Sequence, residues 1–257
     1  MTGIQNLRIN YLLDALPGDV YERLFRHLEQ VQMTFGEVLY EPGEKSRYAY
    51  FPTSCTVSLF HDMENGASSE IAVVGNEGMV NIDLFMGGGT MPNRAIVLTT
   101  GYVYRLSRQL FLQEFYRYGA LNHLLLRYTQ VLITQMAQTT VCNRHHSVEQ
   151  QLCRRLLQSL DRLSSNELTM AQALIAKLLG VRREVVTEAA ETLQRAGLIE
   201  YGRGRITVLD RLGLKARACE CYQIAKTVSD RLFISSRRGL LTSRPEVSLY
   251  PLHTLQH

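Results

Sequence analysis

The sequence predicts an α+β chain: an antiparallel β-barrel or jelly roll first, a long helix next, and last a small helical unit closed by a β-hairpin. Three observations predict it. Short β-favouring runs alternate with turn residues from 31 to 105, apolar residues recur at helical spacing after Gly119, and two short amphipathic helices meet at Gly180 ahead of an arginine-rich hairpin.

Residues 9–28 carry Leu12, Leu13, Leu16, Val20, Leu24, Phe25 and Leu28 at helical spacing, broken at Pro17-Gly18, which predicts two short helices. The β-favouring runs are 38–40, 48–51, 56–60, 71–74, 95–99 and 102–106. They are separated by Glu41-Pro42-Gly43-Glu44, Glu64-Asn65-Gly66 and Gly87-Gly88-Gly89. Brief strands at such intervals suit a small antiparallel barrel or jelly roll. The triple glycine is either a phosphate cradle or a plain hairpin tip.

A helix opens at Ser107-Arg108, and a longer one runs from Gly119 to about Val141. Its Leu121, Leu125, Tyr128, Leu132, Gln135 and Thr139 follow a 4-3-4-3-4 spacing, which brings one seam to a partner helix in a homodimer or to the chain's own barrel. After the polar, basic stretch 143–147, another helix is marked by Val148, Leu152, Leu156, Leu157 and Leu160. The expected division is therefore 1–118 for the barrel and its flanking helices, 119–142 for the dimer helix, 143–232 for the C-terminal unit and 233–257 for a tail.

Charge divides the chain in the same place. Residues 1–142 hold 10 basic and 13 acidic side chains, a balance of −3, whereas residues 143–257 hold 18 and 11, a balance of +7. A basic module joined to an acidic one is the electrostatic footprint of phosphate-backbone binding. The apolar fraction of 46% and charged fraction of 20% are those of a globular protein. No apolar window is long enough to span a bilayer, and no secretory signal opens the chain, which predicts a cytoplasmic protein without a membrane partner.

In the basic half, Thr169 and Gln172 have capping-box spacing at the start of a short helix, and Gly180 can take the positive φ of a sharp exit. A second helix covers 182–196, with Val186, Ala189, Ala190 and Leu193 inward and Arg182, Arg183, Glu184, Thr187 and Glu188 outward. Arginine pairs with guanine, glutamate accepts from cytosine, and threonine reaches phosphate or a thymine methyl. Residues 198–201 and 206–208 form a hairpin around Gly202-Arg203-Gly204-Arg205, a wing whose Arg203 and Arg205 suit the DNA backbone. Together these elements read as a winged helix-turn-helix on double-stranded DNA. The competing reading is a module that senses a nucleotide and docks a protein. No nucleophile-and-base set, phosphate loop or paired-carboxylate signature stands out, so catalysis is not expected.

In this order the elements resemble the Crp/Fnr superfamily of bacterial regulators across about residues 10–222. The resemblance is carried by Phe35-Gly36-Glu37-Val38-Leu39-Tyr40-Glu41-Pro42-Gly43, Tyr50-Phe51-Pro52-Thr53-Ser54, Val74-Gly75-Asn76-Glu77-Gly78-Met79-Val80, the stretch from Cys142 to Gln150, and the stretch from Leu179 to Ala190. It implies a dimer on a two-fold operator acting with RNA polymerase, and it places Arg183 and Glu184 at base-reading positions. Glu188 stands where the cyclic-AMP-responsive members carry arginine. For the effector it implies Glu77, Gly78, Met79, Arg94 and Ala95, with Tyr128 of the long helix. The family's Gly-Glu-Leu and Arg-Ser-Ala or Arg-Thr-Ala signatures are not reproduced, which disfavours cyclic AMP and leaves another nucleotide, a small anion or no effector.

The five cysteines are Cys55, Cys142, Cys153, Cys219 and Cys221. An odd, scattered number predicts free thiols in a reducing compartment. No cysteine precedes Cys55, so the N-terminal cluster of iron-sulfur members is not expected. Cys142, His145, His146 and Cys153 have ligand chemistry, but Arg144 and Arg154 beside them argue against a cation, so no metal is expected. Cys219 and Cys221 are poorly spaced for an unstrained disulfide and read as packing residues.

Overall fold

The computed structural model describes residues 10–237 apart from 65, 67, 164 and 203. Two short helices, α1 (Tyr11–Asp14) and α2 (Gly18–Phe25), lead into the barrel. Asn10 is fully buried before α1. Its Oδ1 accepts from the Leu12 and Leu13 N–H groups, and its Nδ2 donates to the Pro52 and Gly78 carbonyls at 2.8 and 2.9 Å. One side chain thereby ties the first helix to two barrel segments without leaving a polar atom unpaired.

The barrel comprises β1 (Glu29–Met33), β2 (Val38–Tyr40), β3 (Tyr48–Pro52), β4 (Thr56–Asp62), β5 (Ser68–Val74), α3 (Asp83–Met86), β6 (Arg94–Thr99) and β7 (Gly101–Ser107). The strands form two antiparallel sheets, β1-β7-β3 and β2-β6-β4-β5. In the second sheet Val57 lies opposite Val97 and Val74, and Leu59 opposite Ala95 and Ala72. Alternation sends these six side chains into the barrel core. On the other face Ser58, Phe60 and Leu98 are also buried, so β4 and β6 are covered from both sides. β1 and α3 were not anticipated. Of the β1 residues only Met33 is buried, so this polar edge strand is defined by its pairing with β7 rather than by apolar alternation.

The chain continues through α4 (Arg108–Phe115), α5 (Ala120–His145) and α6 (Val148–Leu160). His146 is extended and breaks the helix. Ser147 then caps α6 through a capping box with Gln150. Next come β8 (Glu167–Thr169), α7 (Gln172–Leu179), α8 (Arg183–Arg195), β9 (Ile199–Gly202), β10 (Arg205–Val208), α9 (Arg211–Arg217) and α10 (Glu220–Arg237). Leu152, Leu156, Ile175, Val186 and Leu193 are at or near zero exposure and form the core of this half. Among the described residues, no helix is long and apolar enough to cross a membrane.

Three expectations are corrected. Leu121, Leu125, Tyr128 and Leu132 are each 3% exposed or less and pack into their own barrel. Gln135 donates to the Val73 carbonyl and Thr139 is buried, so this seam faces inward. The outward stripe is His123, Leu126, Gln130, Ile133, Ala137, Thr140 and Arg144, all exposed at 3-4-3-4-3-4 spacing. Thr169 does not cap α7: it ends β8, and Ala171 precedes the helix without a side-chain cap, because the strand's pairing with Arg205 claims the threonine's backbone. The expected tail is helical through Arg237, and residues 238–257 lie outside the described residues.

α10 runs back along α5 to the N-terminal half. Arg127 donates to the Arg231 and Leu232 carbonyls at 3.2 and 3.1 Å. Leu232 is buried with the α1 and α2 core, and the Phe233 ring meets Tyr11 edge-on at 5.6 Å.

Candidate nucleic-acid interface and effector domain

Gly180, at φ +68°, ends α7, and Val181 and Arg182 carry the chain directly into α8. A β-carbon there would be strained by the left-handed backbone and would also meet the Ser69 hydroxyl at 3.4 Å. With Val186, Ala189, Ala190 and Leu193 buried, Arg182, Arg183, Glu184 and Glu188 are left on the solvent face, and among the described residues none is held in an ion pair. The α8 N-terminus is equally open, and unpaired N–H groups there favour an anion such as DNA phosphate.

Gln172 and Thr187 are engaged within the motif itself. The Thr187 hydroxyl lies 3.0 Å from Gln172 Oε1 and 3.1 Å from the Arg183 carbonyl, so the two side chains brace α8 against α7. The Gln172 N–H donates to the Tyr201 hydroxyl at 3.1 Å, and the Tyr201 N–H donates to Gln194 Oε1 at 2.8 Å, which fixes the hairpin to both helices. Arg205 sits on that hairpin, exposed, with Nη1 2.8 Å from Glu167 of β8, a third strand paired to β10. Thr169 lies opposite Arg205. Arg203 falls outside the described residues.

The six effector residues do not converge on one pocket. Glu77 accepts from Arg162 Nε at 2.8 Å. Tyr128 donates to the Met79 carbonyl at 2.9 Å, and its ring lies against Gly78, where a β-carbon would come within 2.4 Å of the hydroxyl. Burial, together with the nearby Glu77 carboxylate, pushes the Tyr128 phenol far above its ordinary range, so it remains a donor. Arg94 pairs with Asp62 at 2.9 Å on one face of β6, while Ala95 is in the barrel core on the other. A cyclic nucleotide needs a cation free for its phosphate, and Arg94 is already paired. Gly87 serves as the left-handed C-cap of α3, a turn role for the glycine run.

The thiols are also arranged differently from the expectation. Cys142 and His146, one turn apart at the end of α5, meet Cys219 and Cys221 at the start of α10, whereas His145 is exposed and Cys153 packs in the core of the helical half. The hydrogen bond from Cys142 holds the Cys219 thiol well below its ordinary range. The usable sequence signals were Cys-x-x-x-His on one helix and a distant Cys-x-Cys.

Comparison with known proteins agrees with both halves. Residues 30–118 match the cyclic nucleotide-binding domain family and residues 150–217 the Crp-like helix-turn-helix domain family, together more than half of the chain. No curated protein matches. Among solved structures, a Crp/Fnr-family transcriptional regulator from Eubacterium rectale is 18% identical, with 81% of this chain and 98% of that one covered and a TM-score of 0.60. FixK2 from Bradyrhizobium japonicum is 15% identical over 75% and 98%, with a TM-score of 0.63. The Crp/Fnr-family regulator TTHA1359 from Thermus thermophilus is 21% identical over 74% and 98%, with a TM-score of 0.58. At these identities the structures establish the fold. Regulators of this kind are non-enzymatic, in line with the lack of a catalytic motif. The ordered pair of domains, with the open reading helix between its brace and its wing, makes the chain a member of the Crp/Fnr superfamily, a DNA-binding transcription regulator that carries a cyclic nucleotide-binding domain.

Proposed function

We propose that the protein binds a two-fold operator as a homodimer, with Arg182, Arg183, Glu184 and Glu188 reading bases and the wing arginines Arg203 and Arg205 holding the backbone. The observation that carries this is the exposed, unpaired first turn of α8, rigidly mounted by Thr187 and Gln172. The exposed stripe from His123 to Arg144 supplies the two-stranded seam, with Leu126 and Ile133 as its apolar knobs. Half-sites then lie about 34 Å apart, one turn of DNA. The division of labour is a barrel, the helix α5 for pairing, and α6 onward for DNA, with action in the cytoplasm on RNA polymerase.

The effector enters a different part of the barrel. A cavity of about 350 Å³ opens between Tyr40, Lys45, Ser46, Arg47, Tyr48 and Asn81. Lys45 and Arg47 are exposed at its rim. Behind it the buried Asn81, Asp83 and Asn93 each keep a side-chain oxygen without a partner. Lys45 and Arg47, beside the exposed Glu44 carboxylate and over unpaired acceptors, suit a nucleotide or another small anion that also donates hydrogen bonds.

The test is selection of bound duplexes from a random library, with and without added nucleotides. A two-fold motif whose affinity falls steeply with salt is expected. Absence of duplex affinity even at low salt overturns the reading in favour of a protein-docking module.

A further inference from the structure

We propose that Cys142, His146, Cys219 and Cys221 form a metal site for a zinc-class divalent cation, a Cys₃His centre at the junction of α5, α6 and α10. Their ligand atoms all lie within 4.8 Å of one another. Cys142 Sγ is 3.5 Å from Cys219 Sγ, and Cys221 Sγ is 3.6 Å from His146 Nδ1. A tetrahedral ion bonded to sulfur at ~2.3 Å holds its sulfurs ~3.8 Å apart, so the four groups enclose such an ion with small adjustments. All three cysteines are buried.

Two neighbouring side chains match the same chemistry. His146 turns Nδ1 to the cysteines and Nε2 to Glu220, 3.4 Å from Oε2, so a carboxylate orients the imidazole and raises its basicity as a ligand. Arg154 is buried and donates from Nη1 to Thr139 Oγ1 at 3.3 Å, one helical turn before Cys142, while its Nε has no hydrogen-bond partner and the guanidinium no carboxylate partner among the described residues. Three thiolates and a neutral imidazole around a divalent cation carry one net negative charge, with the thiol protons released to solvent. Arg154 supplies the balancing positive charge. Beside thiolate ligands the arginine therefore complements a bound cation rather than excluding it.

The Crp-like domain match ends at residue 217, ahead of Cys219 and Cys221. The centre would pin the start of α10 to the hinge between α5 and α6, which is the joint that aims the DNA-binding half. This site does not depend on the operator-binding reading, and metal uptake is measured without DNA.

The test is titration of full-length protein with Co²⁺ after reduction and chelation. One equivalent per chain, with the visible bands of tetrahedral thiolate-bound cobalt and displacement by Zn²⁺, is the expected result. Cys221→Ser should abolish or reshape those bands, while Cys153→Ser, outside the cluster, should leave them unchanged. The exposed Glu220→Gln should keep the spectrum but weaken Co²⁺ about 10–100-fold. No tetrahedral bands in the reduced wild type, or equal bands in Cys221→Ser, overturn the proposal. Isolation of a Cys142–Cys219 disulfide whose reduction yields no cobalt uptake does the same.

Discussion

Glu70 on β5 and Arg155 on α6 form an ion pair almost wholly enclosed between the barrel and the DNA-binding half, with the Ser58 hydroxyl donating to the same carboxylate. Arg155 is 3% exposed, and burial pulls its guanidinium below the ordinary range although Glu70 opposes that shift. A buried pair is fragile in one specific way, because removal of either partner leaves a charge with neither water nor counter-ion.

Glu70→Gln should therefore destabilise the protein by about 3–5 kcal/mol, read as a lower urea midpoint at unchanged slope. Replacing both residues, as in Glu70→Leu with Arg155→Met, should cost much less than the single change. Equal losses would show that the pair does not act as a unit.

The two faces of α5 should respond differently. Ile133→Glu places a charge in the exposed stripe and should convert dimer to monomer in light scattering with little change in protomer stability. Leu125→Ala, on the buried face, should cost about 2–5 kcal/mol of stability and leave pairing intact. Dissociation by Leu125→Ala alone would return the interface to the inward seam.

For DNA, Arg183→Ala should cost about 1–3 kcal/mol on the selected operator and relax preference at one base position. Arg205→Ala should weaken operator and random duplexes nearly alike and lower the salt slope by about one. Base-specific loss from Arg205→Ala would exchange the roles of helix and wing.

Gly78 and Tyr128 are packed too closely for a new methyl group. Gly78→Ala should cost about 1–3 kcal/mol in thermal or urea unfolding. Tyr128→Phe should cost about 1–3 kcal/mol by leaving the buried Met79 carbonyl without its donor. A neutral Gly78→Ala would mean that Tyr128 moves freely, which conflicts with its buried hydrogen bond.

The helix-turn-helix was legible because its signals are local: Gly180 stops one helix, Val186 to Leu193 set the period of the next, and glycine and arginine mark the hairpin. The long helix was legible in extent but not in orientation. Leu121, Leu125 and Leu132 are more apolar than Gln130, Ala137 and Thr140, yet the richer stripe is claimed by the barrel. A second stripe of the same period is left outside, and a 3.5-residue spacing alone does not say which neighbour it meets. That the six effector residues do not share one pocket was hidden for a related reason: Arg94 finds Asp62 only when β4 and β6 pair. Cys142 and Cys219 are 77 residues apart, and only the return of α10 brings them together.

That return also sets how the molecule can bend. With Leu232 and Phe233 gripping the opposite end of the chain, two rods side by side join the two halves in addition to the direct Glu70–Arg155 and Glu77–Arg162 contacts between them. Any swing of the reading head must slide α10 along α5 or peel it away, so signal transmission is coupled to the friction of that helix pair and a small wedge beneath Phe233 would act on distant DNA affinity.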